Sequence, residues 1–302
     1  MNLGFVRHRY DEKCVEMARD IGFDCIEFFV DYENGALDID TLTDKDIEKV
    51  MNKLSECGIT VGTACCSINL LDADLKKREK NIAYMRKMIE NVGKFGTNII
   101  STNLWGNSEI HPAQNIPLFK EIYSPIAELC EKHGVLIAFE NCPHYGGFPA
   151  KVYNLMYTPE MWGVFFDTVP SKALGLEFDP SHLVWLGIDE VSALKGFVER
   201  VYAFHAKDTE IFTDKLNQYG TLGRQIGKPP EYAPSRGPGW WRYRIPGWGQ
   251  VKWRELFKIF YDAKYTGPVI IEHEDPVFDG ELHVQGLKMG HDFLRQFDVP
   301  KI

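Results

Sequence analysis

The sequence predicts an α/β fold, a single (β/α)8 barrel spanning residues 1–302 as one domain. Two observations carry this reading. Eight short apolar runs alternate with amphipathic stretches, and a run returns roughly every 25 to 40 residues, as parallel βαβ units require. The chain has 302 residues, enough for one large α/β domain. A doubly wound open sheet is the alternative. Neither GxGxxG nor GxxxxGK[ST] follows the first run, so nucleotide binding by those loops has no support.

The strands are read at 3–6, 25–30, 60–65, 98–101, 136–140, 174–178, 201–205 and 269–272. Between them, apolar residues recur at helical spacing. The stretch 11–21 stops at Gly22, and 44–57 starts at a Thr43 or Asp44 cap and stops at Gly58. The stretch 72–95 is a long charged amphipath ending at Gly96, and 116–133 ends at Gly134. The stretches 189–199 and 251–263 follow the same logic. Residues 207–250 concentrate Gly, Pro, Trp and Arg. They read as a lid-like insertion between the seventh strand and the helix before the eighth, lying over the C-terminal mouth.

Composition narrows the function. Hydrophobic residues make up 44% and charged residues 25%, which excludes disordered and fibrous classes. No window approaches roughly 18 uninterrupted apolar residues, so no membrane span or membrane partner is expected. The start, MNLGFVRHRY, lacks the apolar core of a secretion signal. The net charge of -9 comes without a basic stripe, which argues against nucleic acid. Seven cysteines, an odd number without a CxxC pair, indicate a reduced, cytoplasmic protein. Cys65 and Cys66 read as small buried apolar residues rather than zinc ligands.

Four of the runs end in a residue able to hold a metal: Glu140, Asp179, His205 and Glu272. Taken singly, a strand-end Glu is a helix cap and a His is a satisfied core residue. Independent caps would not fall at the same place in four consecutive strands, and an unpaired carboxylate after an apolar run is costly. In a barrel these ends converge on one mouth. Three carboxylates and one imidazole suit manganese or magnesium better than a structural zinc site.

The motifs FEN at 139–141, FDPSHL at 178–183, FHAKD at 204–208, YRIPGWGQVKW at 243–253 and IEHED at 271–275 resemble the sugar isomerase/epimerase-like barrels of the xylose isomerase-like superfamily. The resemblance implies one divalent metal held by Glu140, Asp179, His205 and Glu272. Manganese is expected, with magnesium, cobalt or zinc as alternatives. It also implies that Glu140 and Glu272 flank the substrate and exchange protons with it, and that His182 contacts substrate or metal. Independently of the family, removing a proton beside a carbonyl leaves an enediolate. A divalent cation stabilises that charge, and two carboxylates on opposite faces serve as base and acid.

His144 stands four residues after Glu140, in ENCPHYGG, on the loop after the fifth strand. There it reads as a general base or as an exposed loop histidine. In the first case the chain is similar to carbon-glycoside deglycosidases, metal-dependent lyases that cleave 3-oxo-glycosides with a histidine base. Trp240, Trp241, Arg242, Arg244 and Trp248 read as a stacking and oxygen-binding surface for a sugar or aglycone, or as a packed lid with buried tryptophans. Lys207 and Asp208 either position substrate oxygens or form a rim ion pair. Trp105 and Trp185 are expected to line the mouth, and His8 to point into it. His273 and Glu274 belong behind Glu272 or on the surface.

The expected function is therefore metal-dependent isomerisation or epimerisation of a sugar or keto-sugar, with the 3-oxo-glycoside lyase as the alternative. The first partners a small sugar and forms homo-oligomers. The second takes a glycoside and adds a small subunit. An apurinic-endonuclease-like repair enzyme would need more histidine ligands and a basic face. A non-catalytic sugar-binding barrel would be expected to have lost one of the four strand-end residues.

Overall fold

Eight parallel strands hydrogen-bond in a closed ring. They are β1 (Asn2–Arg7), β2 (Cys25–Phe29), β3 (Thr60–Cys65), β4 (Ile99–Thr102), β5 (Leu136–Glu140), β8 (Leu174–Phe178), β9 (Val201–His205) and β12 (Pro268–Ile271). Each pairs with the next in chain order, and β12 closes on β1 with Leu3 opposite Val269 and Phe5 opposite Ile271. The computed structural model describes residues 1–35, 37–146, 151–222 and 239–298. Parallel strands are covered on both faces, so they read as nearly continuous apolar runs such as CIEFF, LIAFE and PVII. The eighth strand stops one residue earlier than the sequence reading, which leaves Glu272 just beyond its end.

Ten helices appear among the described residues: α1 (Glu12–Ile21), α2 (Asp44–Glu56), α3 (Leu75–Asn91), α4 (Ile116–His133), α5 (Pro159–Thr168), α6 (Pro180–Leu186), α7 (Glu190–Phe197), α8 (Thr213–Tyr219), α9 (Trp253–Asp262) and α10 (His283–Arg295). Their caps follow from the sequence. Asp11 accepts from Cys14 N, and Thr43 and Asp46 make a reciprocal capping box. Gly22 and Gly134 close α1 and α4 at φ of 99° and 66°, where a side chain would be strained. The stretch read as one helix at 72–95 is shorter. Asp74 caps α3, and a 3-10 turn, Val92–Phe95, follows it.

Sequence periodicity missed α5, α6, α8 and α10. In α10, Gly286 and Gly290 lower the intrinsic preference. Packing requires both: a Cβ at Gly286 would sit 2.3 Å from His273 Nε2, and one at Gly290 would sit 3.0 Å from Pro246. Two small ribbons stand outside the barrel. β6 (Tyr145–Gly146) pairs with β7 (Lys151–Val152), and β10 (Asp208–Ile211) pairs antiparallel with β11 (Trp241–Arg244).

The stretch 207–250, read as a lid, thus contains a strand, a helix and a returning strand; its residues 223–238 lie outside the described residues. Phe5, Phe28, Phe139, Phe178 and Phe204 are fully buried in the main core, each contributing about 2–3 kcal/mol of burial. All seven cysteines are free. Among the described residues no helix is long and apolar enough to cross a membrane.

Candidate metal centre

Glu140 ends β5 and Asp179 follows β8, and Asn141 locks the two strand ends together. Its amide oxygen accepts from Asp179 N at 2.6 Å, and its amide nitrogen donates to Asp179 O at 2.8 Å. Asp179 also caps α6, where its Oδ1 accepts from Ser181 N at 2.8 Å. That cap turns Oδ2 the other way, 3.3 Å from His182 Nε2 and 3.2 Å from Lys207 Nζ. His182 lies three residues on, on the same side of the helical turn, with Nε2 3.4 Å from Glu140 Oε1. Its Nδ1 is 3.0 Å from the Tyr243 hydroxyl on β11. His205, ending β9, presents Nδ1 3.4 Å from Glu140 Oε1 and 3.6 Å from Glu272 Oε2.

Lys207 is 1% exposed and pairs with Glu272 and, at 3.3 Å, with Glu274. Burial pushes Glu140 up, but His182 and His205 outweigh it and hold the carboxyl well below the usual range. Burial likewise opposes the downward shifts of Asp179 and Glu272, which Lys207 drives. Both imidazoles are raised despite burial, His182 chiefly by Cys142, Tyr243 and Asp179, and His205 by Glu177 and Glu27. Cys142 is drawn down to about 6, because His182 and His144 overcome its burial.

The donor set fits a divalent cation. Glu140, Asp179, His182 and Glu272 each offer an atom within 4.8 Å of the others. Asp179 Oδ2, His182 Nε2 and His205 Nδ1 are buried without a hydrogen-bond partner. Three hard carboxylates with imidazole nitrogens are the ligand chemistry such ions take. Behind His205 lies a second buried group. Its Nε2 is 3.3 Å from Glu177 Oε1 and 3.4 Å from Glu27 Oε2, and Thr63 Oγ1 donates to Glu27.

These residues open into a cavity of about 320 Å³. Glu140, Glu272, Glu274, Glu177, Glu27 and His205 line it together with Ser67, Asn103, Trp105 and His144.

The family model for the xylose isomerase-like TIM barrel matches residues 15–297. The chain belongs to that family. It is 24% identical over 256 residues to an inosose dehydratase of Clostridium perfringens, covering 79% of this chain and 77% of that protein. It is 29% identical over 146 residues to the uncharacterized protein YfiH of Bacillus subtilis, a match spanning 47% of this chain and 43% of that protein. Among solved structures, D-psicose 3-epimerase of Clostridium cellulolyticum superimposes with a TM-score of 0.71 at 16% identity, over 98% of this chain and 99% of that one. The 3-keto-D-glucoside 4-epimerase of E. coli gives 0.66 at 15% identity, over 98% and 99%. At such identities the superpositions speak to the fold.

In this xylose isomerase-like barrel the other sequence-predicted residues separate. Trp105, His144 and His8 line the cavity. Trp105 and His144 lie with ring centres 4.3 Å apart, and His8 stacks on Phe29. His144 holds a left-handed φ of 45°, and its buried Nε2 has no hydrogen-bond partner. Trp185 instead stacks face to face on Trp241 at 4.8 Å, in a small cluster with Trp240 and Tyr243.

Arg242 and Arg244 do not line the cavity either. Arg242 Nε donates to Glu210 at 2.7 Å, and Arg244 is held by Asp275 and Glu210. An opposite charge on the adjacent strand draws the guanidinium aside. Asp208 is likewise turned inward, accepting from Gly247 N, Val251 N and Trp253 Nε1. Trp248 is exposed, edge-on to Phe278. His273 packs on His283, while Glu274 lines the cavity.

Sequence reasoning missed Glu27, Glu177, Ser67 and Asn103. A carboxylate inside each of the apolar runs CIEFF and LGLEF was the available signal, because strand alternation turns it to a buried face.

Proposed function

We propose that the protein is a divalent-metal-dependent enzyme that isomerises or epimerises a sugar or keto-sugar by moving a proton on the carbon beside its carbonyl. The observation that carries this reading is that His205 Nδ1 lies within 3.6 Å of both Glu140 and Glu272 at the floor of a cavity of about 320 Å³. That volume suits a molecule of monosaccharide size. Glu140, Asp179, His205 and Glu272 would hold the cation, with His182 facing the same point. A bound divalent cation, taken here as manganese, would orient two substrate oxygens and stabilise negative charge on them.

The chain's own groups handle the proton. Glu140 is held ionised and steered by Asn103, which donates to its Oε2 at 3.0 Å, so it serves as the base. The ammonium of Lys207, paired with Glu272, supplies the proton that Glu272 passes back to the carbon, and exchange with solvent restores both carboxylates and the lysine. Trp105 supplies a flat apolar wall for a sugar ring, and Ser67 and Asn103 supply hydroxyl partners. The relatives named for epimerisation and dehydration of sugars or inososes support this substrate class. The free cysteines accord with a cytoplasmic setting, and the reading includes a homo-oligomer.

A second reading is the 3-oxo-glycoside lyase, with His144 as base. It is favoured by one observation: His144 is held at a left-handed φ against Trp105, with Nε2 buried and without a hydrogen-bond partner.

The deciding experiment is elemental analysis of the purified protein, followed by product analysis with keto-sugars and 3-oxo-glycosides. About one manganese or similar ion per chain, lost in a Glu140→Ala, His205→Ala double variant, supports the site. No ion after manganese is supplied overturns it. Release of an aglycone that disappears in His144→Ala would favour the lyase.

A further inference from the structure

The strongest unused feature is the buried group on the far side of His205. Glu27, Glu177 and Thr63 are all at most 2% exposed, and they come from three different strands, β2, β8 and β3. Two carboxylates in the barrel interior are costly to bury, so their retention calls for a role. They meet only one side of the imidazole. Nε2 lies 3.4 Å from Glu27 Oε2 and 3.3 Å from Glu177 Oε1, while Nδ1 faces Glu140 and Glu272. Thr63 holds Glu27 from behind.

We propose that Glu27 and Glu177 are positioning residues. Glu27 accepts the Nε2 proton of His205, and Glu177, with Oε1 3.3 Å from the same nitrogen, backs it by charge; together they fix the ring orientation and the tautomer whose bare Nδ1 points at the metal centre. The proposal rests on the metal-site reading above. An imidazole with one nitrogen tied to an anionic acceptor presents a single, more basic lone pair on the other, and such partners commonly change metal affinity about 10- to 100-fold. With Glu177 Oε1 only 3.3 Å from the same nitrogen, a carboxylate stays beside Nε2 when Glu27 alone is removed, so both must change to release the ring.

The test uses the full chain, stripped of metal and titrated calorimetrically with zinc chloride. Glu27→Leu with Glu177→Leu should weaken zinc binding about 10- to 100-fold, while Glu27→Gln with Glu177→Gln, whose amide oxygens still accept, should restore most of it. The metal-free Leu double variant should melt no lower than the native protein, because it buries apolar side chains in place of two carboxylates. A purely structural pair would instead lower the melting temperature and leave zinc affinity unchanged.

Nitrogen-15 NMR of the zinc-loaded native protein gives a measure that needs no variant. The His205 proton is expected on Nε2, and a proton on Nδ1 would overturn the assignment. Native-like zinc affinity in the folded Leu double variant would also overturn it, as would a second zinc bound natively and lost in that variant, since the pair would then itself be a cation site. A native chain that binds no zinc would instead sink the metal-site reading, and this proposal with it.

Discussion

The Asn103 amide spans two polar groups: its nitrogen donates to Glu140 Oε2 at 3.0 Å, and its oxygen accepts from Ser67 Oγ at 2.8 Å. Trp105 Nε1 in turn donates to the same serine oxygen at 3.0 Å. One oxygen of Glu140 is therefore tied to a neutral network, and the other is left to face His182 and His205.

Replacing Asn103 with leucine should remove that steering. A hydrogen bond to a charged group contributes about 1.5–3 kcal/mol, so turnover on whichever substrate proves active should fall roughly 10- to 100-fold. Steady-state kinetics would check it, and undiminished turnover would mean that Glu140 does not depend on this contact.

Glu140→Gln and Glu272→Gln should each lower turnover by about 10² to 10⁴ while circular dichroism stays native. The substitutions keep shape and remove the proton-carrying group. Full activity in either variant would remove that residue from the mechanism.

Manganese should stabilise the fold. A ligand at a hundred times its dissociation constant adds about 2.7 kcal/mol, a rise of a few degrees in melting temperature for a chain of this size. The rise should vanish in the Glu140→Ala, His205→Ala double variant, as differential scanning calorimetry would show.

His273 should make the protein acid-sensitive. Burial and the neighbouring His283 depress its imidazole from the ordinary value to about 4. Above the ordinary value of about 6.5 both folded and unfolded chains carry it neutral, so it costs nothing there. As pH falls from about 6.5 to 4, the unfolded chain takes the proton first and the fold loses stability, on the order of 3 kcal/mol at most. Urea midpoints at pH 7 and pH 5 should therefore drop further in the native protein than in His273→Gln. Equal drops would mean that this imidazole is not depressed.

Asp208→Ala should destabilise the barrel without touching the cavity. The carboxylate accepts from Thr209 N, Gly247 N, Val251 N and Trp253 Nε1, and its loss removes the acceptor of four donors, three of them on buried residues. The expected cost is about 2–4 kcal/mol, visible as a melting shift of several degrees.

The ring of strands was legible because parallel, doubly covered strands leave long apolar runs, and the four strand-end residues were legible because each interrupts such a run at its end. Other features depend on partners far away in the chain. That Arg244 is consumed by Asp275 and Glu210, or that Trp185 lies flat on Trp241, follows from how β10 and β11 pair, and no local spacing encodes it. Glu27 and Glu177 were hidden for a different reason. Each sits inside an apolar run, where periodicity counts it as an exception, and only the closed ring shows the two exceptions meeting at His205.

The acids that line the cavity come from β2, β5 and β8 and from the turn after β12, whereas its serine, asparagine and indole follow β3 and β4. A planar reaction intermediate held there has non-equivalent faces, because Glu140 stands beside Asn103 and Glu272 beside Lys207. A solvent deuterium delivered through Glu272 should therefore appear in a single configuration at the labelled carbon, so that the handedness of the product is written by which carboxylate has the lysine at its back.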